Sequence, residues 1–224
     1  HRGGFPRSFL AQSDDESYKW RENFIATFLE RDLRRLGVMV APESLRRLWM
    51  MIAHYHGQVA KLSDIGSSLG ESHTTIRRHL DILEGALVLR QLQPWHENIS
   101  KRQIKTSKIY FRDNGILLSL LNIPDTHQLQ GHPKLGSSWE GFALEEIIRS
   151  HDATPEECYF WATHTQSELD LLIIKDGKKL GFEFKYTDTP RTSRSMHTAI
   201  EALELDQLLI IFPGDANFPL TEKI

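Results

Sequence analysis

Between Glu168 and Lys185 the chain reads ELDLLIIKDGKKLGFEFK, and four charged residues, Glu168, Asp170, Glu183 and Lys185, stand where two neighbouring strands would bring them together. Strong strand formers fill Leu169 to Ile174 and Leu180 to Tyr186, and Asp176-Gly177 between them is a preferred dipeptide for a two-residue hairpin turn. With Lys175 opposite Lys178, Asp170 faces Glu183 and Glu168 faces Lys185. Side chains alternate along strands, so all four are expected on one face with Leu172, Ile174 and Gly181. Leu171, Ile173, Leu180, Phe182 and Phe184 fill the other face. Directly opposed carboxylates repel unless something positive lies between them, and a divalent cation with oxygen ligands would serve. A plainer reading also stands: Glu168 and Lys185 form an ion pair on a wet face, with Asp170 and Glu183 solvated. Apolar residues on both faces predict a covered hairpin, where carboxylates need partners.

The neighbouring elements must position these charges. Trp139 to Ser150 has helical periodicity, with Phe142, Ala143, Leu144, Ile147 and Ile148 as its apolar stripe. Ser137 and Glu140 are spaced as a capping box. Glu140 also falls within the stripe, so it is either the second half of the cap or a carboxylate that the helix aims at the hairpin. A strand from Tyr159 to Ala162, the two hairpin strands, a helix from about Arg194 to Leu205 and a strand from Gln207 to Phe212 come after it. The order over residues 139–224 is αβββαβ.

Asp170 followed by Glu183-Phe184-Lys185, in that element order, resembles the PD-(D/E)xK nuclease-like superfamily, the restriction-endonuclease-like fold. The resemblance implies that Asp170 and Glu183 hold Mg²⁺ (or Mn²⁺), with Glu140 as the acidic residue of the first helix. Lys185 would position or activate the attacking water. Glu140, Asp170, Glu183 and Lys185 are then the expected catalytic set, and all four should converge around one cation-sized space. The chemistry is coherent: a hard cation binds carboxylate oxygens, polarises phosphate and activates water, and an ammonium stabilises charge developing on phosphate oxygens.

The formal charge of -3 conceals a division. Residues 1–112 carry 18 Lys and Arg against 12 Asp and Glu, whereas residues 113–224 carry 9 against 18. A basic front half is where nucleic acid would be met. Trp20 to Leu36 reads as one amphipathic helix, and Pro42 opens another that runs to about His56 and stops at Gly57. A helix from Ser63 to Leu69, a break at Gly70-Glu71 and a helix from about His73 to Glu84, with Ser72 as its cap, make a helix-turn-helix over about residues 61–85. Strands from Leu87 to Leu92 and Lys108 to Phe111 complete a wing over residues 86–112. The expected fold is therefore α/β: an N-terminal helical winged-helix domain (1–124), a linker (125–138) and a small αβββαβ domain (139–224). Thr74, Arg77, Arg78, Lys101, Arg102 and Lys105 are the candidate DNA contacts. Asp81 and Glu84 dilute that positive face, and packing of the module against protein is the competing reading.

Six phrases together resemble successive blocks of one family. They are RGGFPRSF (Arg2 to Phe9), WRENFIATFLERDLRRL (Trp20 to Leu36), KIYFRDNGILLSLL (Lys108 to Leu121), WEGFALEEII (Trp139 to Ile148), SELDLLI and GFEFK. The chain is similar to prokaryotic AAA+ ATPase-type proteins whose C-terminal part is the domain of unknown function 4143. This resemblance implies a C-terminal portion, with ATP bound only on an upstream ATPase module, and the opening at His1 rather than Met is read as a truncation. The chain contains no GxxxxGK[ST], so no ATP hydrolysis is expected from it alone. The expected partners are DNA and the ATPase module, with no membrane and with oligomerisation left open. One cysteine, Cys158, excludes an internal disulfide and fits the cytoplasm. Eleven histidines show no metal-ligand spacing. Three functions compete: a Mg²⁺-dependent nuclease, a non-enzymatic docking or sensor module of the ATPase, and a winged-helix transcription regulator.

Overall fold

The computed structural model describes residues 1–35, 41–96, 106–163 and 167–224, and within it the chain divides into two units. The first comprises His1–Gln91 with Ile109–Ser138, the second Leu92–Lys108 with Trp139–Ile224.

Caps and turn residues set the helix ends of the first unit. After α1 (Pro6–Phe9), α2 (Asp14–Thr27) starts at Ser13, whose hydroxyl accepts from the Glu16 amide. The helix expected from Trp20 onward therefore begins a turn and a half earlier, where three acidic residues complement its N-terminus. It then passes through a π-helical turn (Phe28–Asp32) into α3 (Leu33–Arg35). Pro42 opens α4 (Pro42–His54), followed by β1 (Gln58–Val59). Helix α5 (Leu62–Leu69) stops at Gly70, which takes the left-handed conformation at φ +70°. Ser72 caps α6 (His73–Gly85) through the Thr75 amide. Strands β2 (Leu89–Pro94) and β3 (Lys108–Phe111) come next, then α7 (Asn114–Leu120) and α8 (Thr126–Gln130), capped by Asp113 and Asp125. Helix α8 occupies part of the segment expected to be linker, because Asp125 supplies an acceptor for the Gln128 amide. Ile25, Trp49, Ile52, Ile65, Ile76 and Leu80 belong to this unit's core. His56 is buried with them, and its Nδ1 accepts the Phe111 amide at 3.0 Å. Burial lowers its pKa to about 3.

The second unit is built on a sheet with the strand order β2-β4-β5-β6-β7, formed with β4 (Cys158–Ala162), β5 (Glu168–Lys175), β6 (Lys178–Phe184) and β7 (Gln207–Ile211). Helix α9 (Leu135–Ser150) precedes β4, and α10 (Arg194–Leu203) separates β6 from β7. Residues 139–224 thus run αβββαβ. The β2–β4 and β6–β7 pairs are parallel, whereas β4–β5 and β5–β6 are antiparallel. Asp176 (φ 52°) and Gly177 (φ 75°) both adopt positive φ, as a type I′ hairpin turn requires. That turn pairs Lys175 with Lys178 and carries the expected register as far as Leu171 opposite Phe182. Trp161, Leu169, Leu172, Met196, Leu203 and Leu208 belong to a core cluster that includes residues of α10. Among the described residues no helix is long and apolar enough to cross a membrane.

Gly181 is the close-approach point of this core: a Cβ there would meet Leu205 Cδ1 at 2.7 Å and Leu169 Cδ1 and Cδ2 at 3.4 Å. Gly181→Val is expected to lower stability by about 1–3 kcal/mol through overpacking, read from urea unfolding. The His56 ring, in turn, should show no NMR titration between about pH 8 and 4, because burial keeps the imidazole neutral.

Candidate functional site

The hairpin ends where its charges begin. The β5–β6 ladder runs to Leu171 opposite Phe182, and beyond it Asp170 Oδ2 accepts the Phe184 amide at 2.9 Å. A carboxylate thus takes the place of a ladder carbonyl. On the other side of β5, Tyr159 pairs with Leu172 but Trp161 pairs with Leu169, so Asp170 and Leu171 together lie opposite Phe160. This bulge puts Leu169 and Leu172, three residues apart, into one core cluster. The expected single face, carrying Glu168, Asp170, Leu172, Ile174 and Gly181 alike, is corrected accordingly: Leu172 and Gly181 pack in the core, and strict alternation fails at Asp170.

Lys108, the first residue of β3, lies among the carboxylates. Its Nζ is 3.7 Å from Glu140 Oε1 and 3.9 Å from Asp170 Oδ1, forms a close ion pair with Glu168, and lies 5.5 Å from the centroid of the Phe160 ring. Its side chain is only 6% exposed. Burial by itself would lower the ammonium's pKa, but Glu140, Asp170 and Glu168 outweigh it and raise the pKa above the usual lysine value. The expectation that Glu168 pairs with Lys185 is therefore corrected: Glu168 pairs with Lys108, whose positive charge is closer to hand. Lys185 lies just beyond the end of β6 and binds Glu183 instead, Nζ to Oε2 at 2.9 Å.

Asp170 and Glu183 lie just past the last paired residues, Leu171 and Phe182, close enough to influence each other. Burial and the nearby Asp170 carboxylate both disfavour ionisation of Glu183. Burial pushes the Glu183 pKa up to about 8, Asp170 adds to the rise, and Lys185 offsets part of it. The Lys185 ammonium is itself held above its usual value, because Glu183, Asp170 and Glu140 outweigh its partial burial.

Glu140, Asp170, Glu183 and Lys185 are thus brought together in the second unit, and Lys108 is the residue that sequence reasoning missed. The signal was present: Lys108 opens a strand whose next three residues, Ile109, Tyr110 and Phe111, are aliphatic or aromatic, and a lysine in such a strand needs an anionic partner. Glu140 reaches the site, but the capping box does not form. Helix α9 begins at Leu135, so Ser137 lies inside its first turn and donates to the Lys134 carbonyl at 3.2 Å. Ser195, also missed, fixes the start of β5: its hydroxyl accepts from the Glu168 amide and donates to the Glu168 carbonyl, each at 2.7 Å. Trp139 lies 5.9 Å from Phe142 and 6.1 Å from Tyr186 between ring centroids, and both partner rings are exposed.

In the first unit, Thr74, Arg77 and Arg78 are exposed on α6. The acidic residues expected to dilute that face are engaged on β2: Glu84 accepts from the Gln91 amide at 3.0 Å, and Gln91 Nε2 donates to Asp81 at 3.0 Å and Glu84 at 2.8 Å. Lys101, Arg102 and Lys105 lie outside the described residues.

The acidic set can be tested as a seat for Mg²⁺ or Mn²⁺. Such an ion needs several ionised oxygens within about 2.0–2.2 Å of one point. Here Glu140, Glu168 and Asp170 surround an ammonium, the second Asp170 oxygen accepts an amide, and Glu183 binds the Lys185 ammonium. Among the described residues no group of three or more His, Cys, Asp or Glu is arranged to hold a metal ion. The residues as they stand do not fit the cation.

Two family models match the chain. One described as Domain of unknown function (DUF8612) matches residues 1–127, and one described as Domain of unknown function (DUF4143) matches residues 135–224. An uncharacterized protein of Mycobacterium tuberculosis and another of Mycobacterium bovis are each 48% identical over 223 residues, covering 100% of this chain and 50% of their own length. The chain therefore spans about half the length of these curated relatives. No solved structure gives a significant match.

The proton on Glu183 has a measurable consequence. Folded Glu183 keeps it up to about pH 8, whereas an unfolded glutamate releases it near 4.5, so the unfolded chain binds fewer protons across that window. Its contribution to stability is therefore full below about pH 4.5 and falls as pH rises towards 8. Glu183→Gln is neutral throughout and should be destabilised less than wild type between about pH 5 and 8, read from thermal midpoints. Identical pH slopes would mean that Glu183 is ionised in the fold.

Proposed function

We propose that this chain, which belongs to the DUF8612 family, is the C-terminal half of an ATPase-type protein whose second unit is a nuclease-like module that docks or senses rather than cleaves. The αβββαβ order and the convergence of Glu140, Asp170, Glu183 and Lys185 support the relation to the PD-(D/E)xK fold. The observation that carries the non-cleaving reading is Lys108. Its ammonium already neutralises the carboxylates that a nuclease would offer to Mg²⁺, and Lys185 occupies an oxygen of Glu183.

The proposed division of labour follows from charge. The acidic residues of the second unit repel phosphate unless cations cover them, so nucleic acid contact falls to the basic front half. There α5, the Gly70 turn and α6 have the proportions of a helix-turn-helix, and β2 and β3 those of a wing. Thr74, Arg77 and Arg78 form the exposed face that would meet DNA. In this reading the ATPase module and DNA are the partners, and ATP is bound outside this chain.

A second reading, a metal-dependent nuclease, is favoured by the same convergence of three carboxyls and a lysine at the end of a hairpin. Cleavage assays separate the two. With Mg²⁺ or Mn²⁺ and supercoiled, linear duplex or single-stranded DNA, the chain should cut no faster than in EDTA. Metal-dependent cutting that vanishes in both Asp170→Ala and Lys185→Ala would overturn the non-cleaving reading. Duplex binding, measured alongside, should weaken in Arg77→Ala and Arg78→Ala by about 1 kcal/mol or more for the pair, and more steeply at low salt.

A further inference from the structure

We infer that the Lys108 ammonium is a built-in cation occupying the seat a divalent ion would take among Glu140, Glu168 and Asp170, and that replacing this side chain with a neutral one converts the pocket into a divalent-cation site. The inference rests on the nuclease-like reading of the acidic set and names what keeps that set from binding metal.

Four observations support it. Lys108 Nζ is within 3.9 Å of all three carboxylates, so a single point charge serves them together. The three come from two elements, Glu140 from α9 and Glu168 and Asp170 from β5, and each of those elements keeps its position without Lys108. Helix α9 is held by its own apolar stripe, with Ala143, Leu144 and Ile148 buried. The start of β5 is clamped by Ser195 and by the Asp170 bond to the Phe184 amide. Finally, Phe160 lines one side of the ammonium. An aromatic face suits a lysine, because its π-system attracts the ammonium, and it supplies no oxygen ligand to a divalent ion.

Loss of the lysine would unbalance the charge. Three carboxylates would be left around one space with no positive charge among them, and mutual repulsion raises their demand for a cation. Oxygens now 3.7 and 3.9 Å from nitrogen would need to close by more than 1 Å to reach a metal. The space vacated by the lysine permits that movement. Glu168 is the carboxylate best able to adjust, since its side chain is 46% exposed.

The test compares wild type with Lys108→Met by titrating Mn²⁺ and Ca²⁺ and by recording thermal midpoints with metal and with EDTA. Wild type should show little metal binding and no shift in midpoint. Lys108→Met should be less stable in EDTA, recover with Mn²⁺, and bind the ion at least about tenfold more tightly than wild type. Adding Asp170→Asn to Lys108→Met should abolish both binding and recovery, whereas Lys108→Arg, which retains the charge, should behave as wild type. A purely structural ion pair predicts a different outcome: Lys108→Met loses stability and metal restores none of it, which would overturn the inference. Lys108→Gln keeps a hydrogen-bond donor while removing the charge, and provides the same comparison if the methionine variant does not fold. Cleavage of DNA by wild type would overturn the non-cleaving reading and leave the metal titration of Lys108→Met to decide this inference separately.

Discussion

Like charges gathered at the end of a hairpin are tolerated in the second unit because ammonium groups are gathered with them. Glu140, Glu168, Asp170 and Glu183 meet where β5 and β6 stop pairing, and without cations each would repel the next. Lys108 and Lys185 divide the task. Lys108 serves the three carboxylates on its side, and Lys185 serves Glu183, whose pKa burial raises. Removing one partner from such a set is costlier than never having built it, since the remaining charges stay buried without compensation.

The geometry of that set follows from two backbone features. The Asp176-Gly177 turn accepts positive φ at both positions and so pins the pairing of Lys175 with Lys178. The bulge opposite Phe160 then changes the strand's facing at the point where the charges start. Without it, Asp170 would follow Leu172 towards the α10 side of the sheet, where Leu169, Met196 and Leu203 pack and a carboxylate has no partner. With it, Asp170 reaches Lys108 with one oxygen and the Phe184 amide with the other.

These features differed in how legible they were. The turn and its register could be read from the dipeptide and the strand formers on each side, because both are local. The helix break at Gly70 and the cap at Ser72 were equally local. The bulge was not, since it depends on β4, whose pairing with β5 leaves no mark in the β5 sequence. The partner of Glu168 was misread for the same reason. Alternation along the hairpin offered Lys185, whereas the residue that binds it lies 60 positions earlier in the chain, at the head of a different strand. Local patterning likewise placed a capping box at Ser137 and Glu140, but α9 starts earlier and Glu140 is drawn to Lys108 instead.

The first unit buries a cation by different means, and the contrast bears on what each can do. Arg21 is 1% exposed, and its guanidinium donates to the hydroxyls of Ser119 at 2.8 Å, Ser17 at 2.8 Å and Ser8 at 3.4 Å. Hydroxyls solvate the charge but do not cancel it. Burial accordingly lowers the Arg21 pKa, and Asp113, whose carboxylate also binds the Gly4 and Ile116 amides, opposes that only from a distance. A planar fork held by three neutral acceptors is specified by direction, so neither a lysine nor a free ion could replace it. Lys108 is held by charge rather than direction, with three carboxylates around a compact ammonium. Arg21 is therefore fixed by the direction of its hydrogen bonds, whereas Lys108 is fixed by the charges around it.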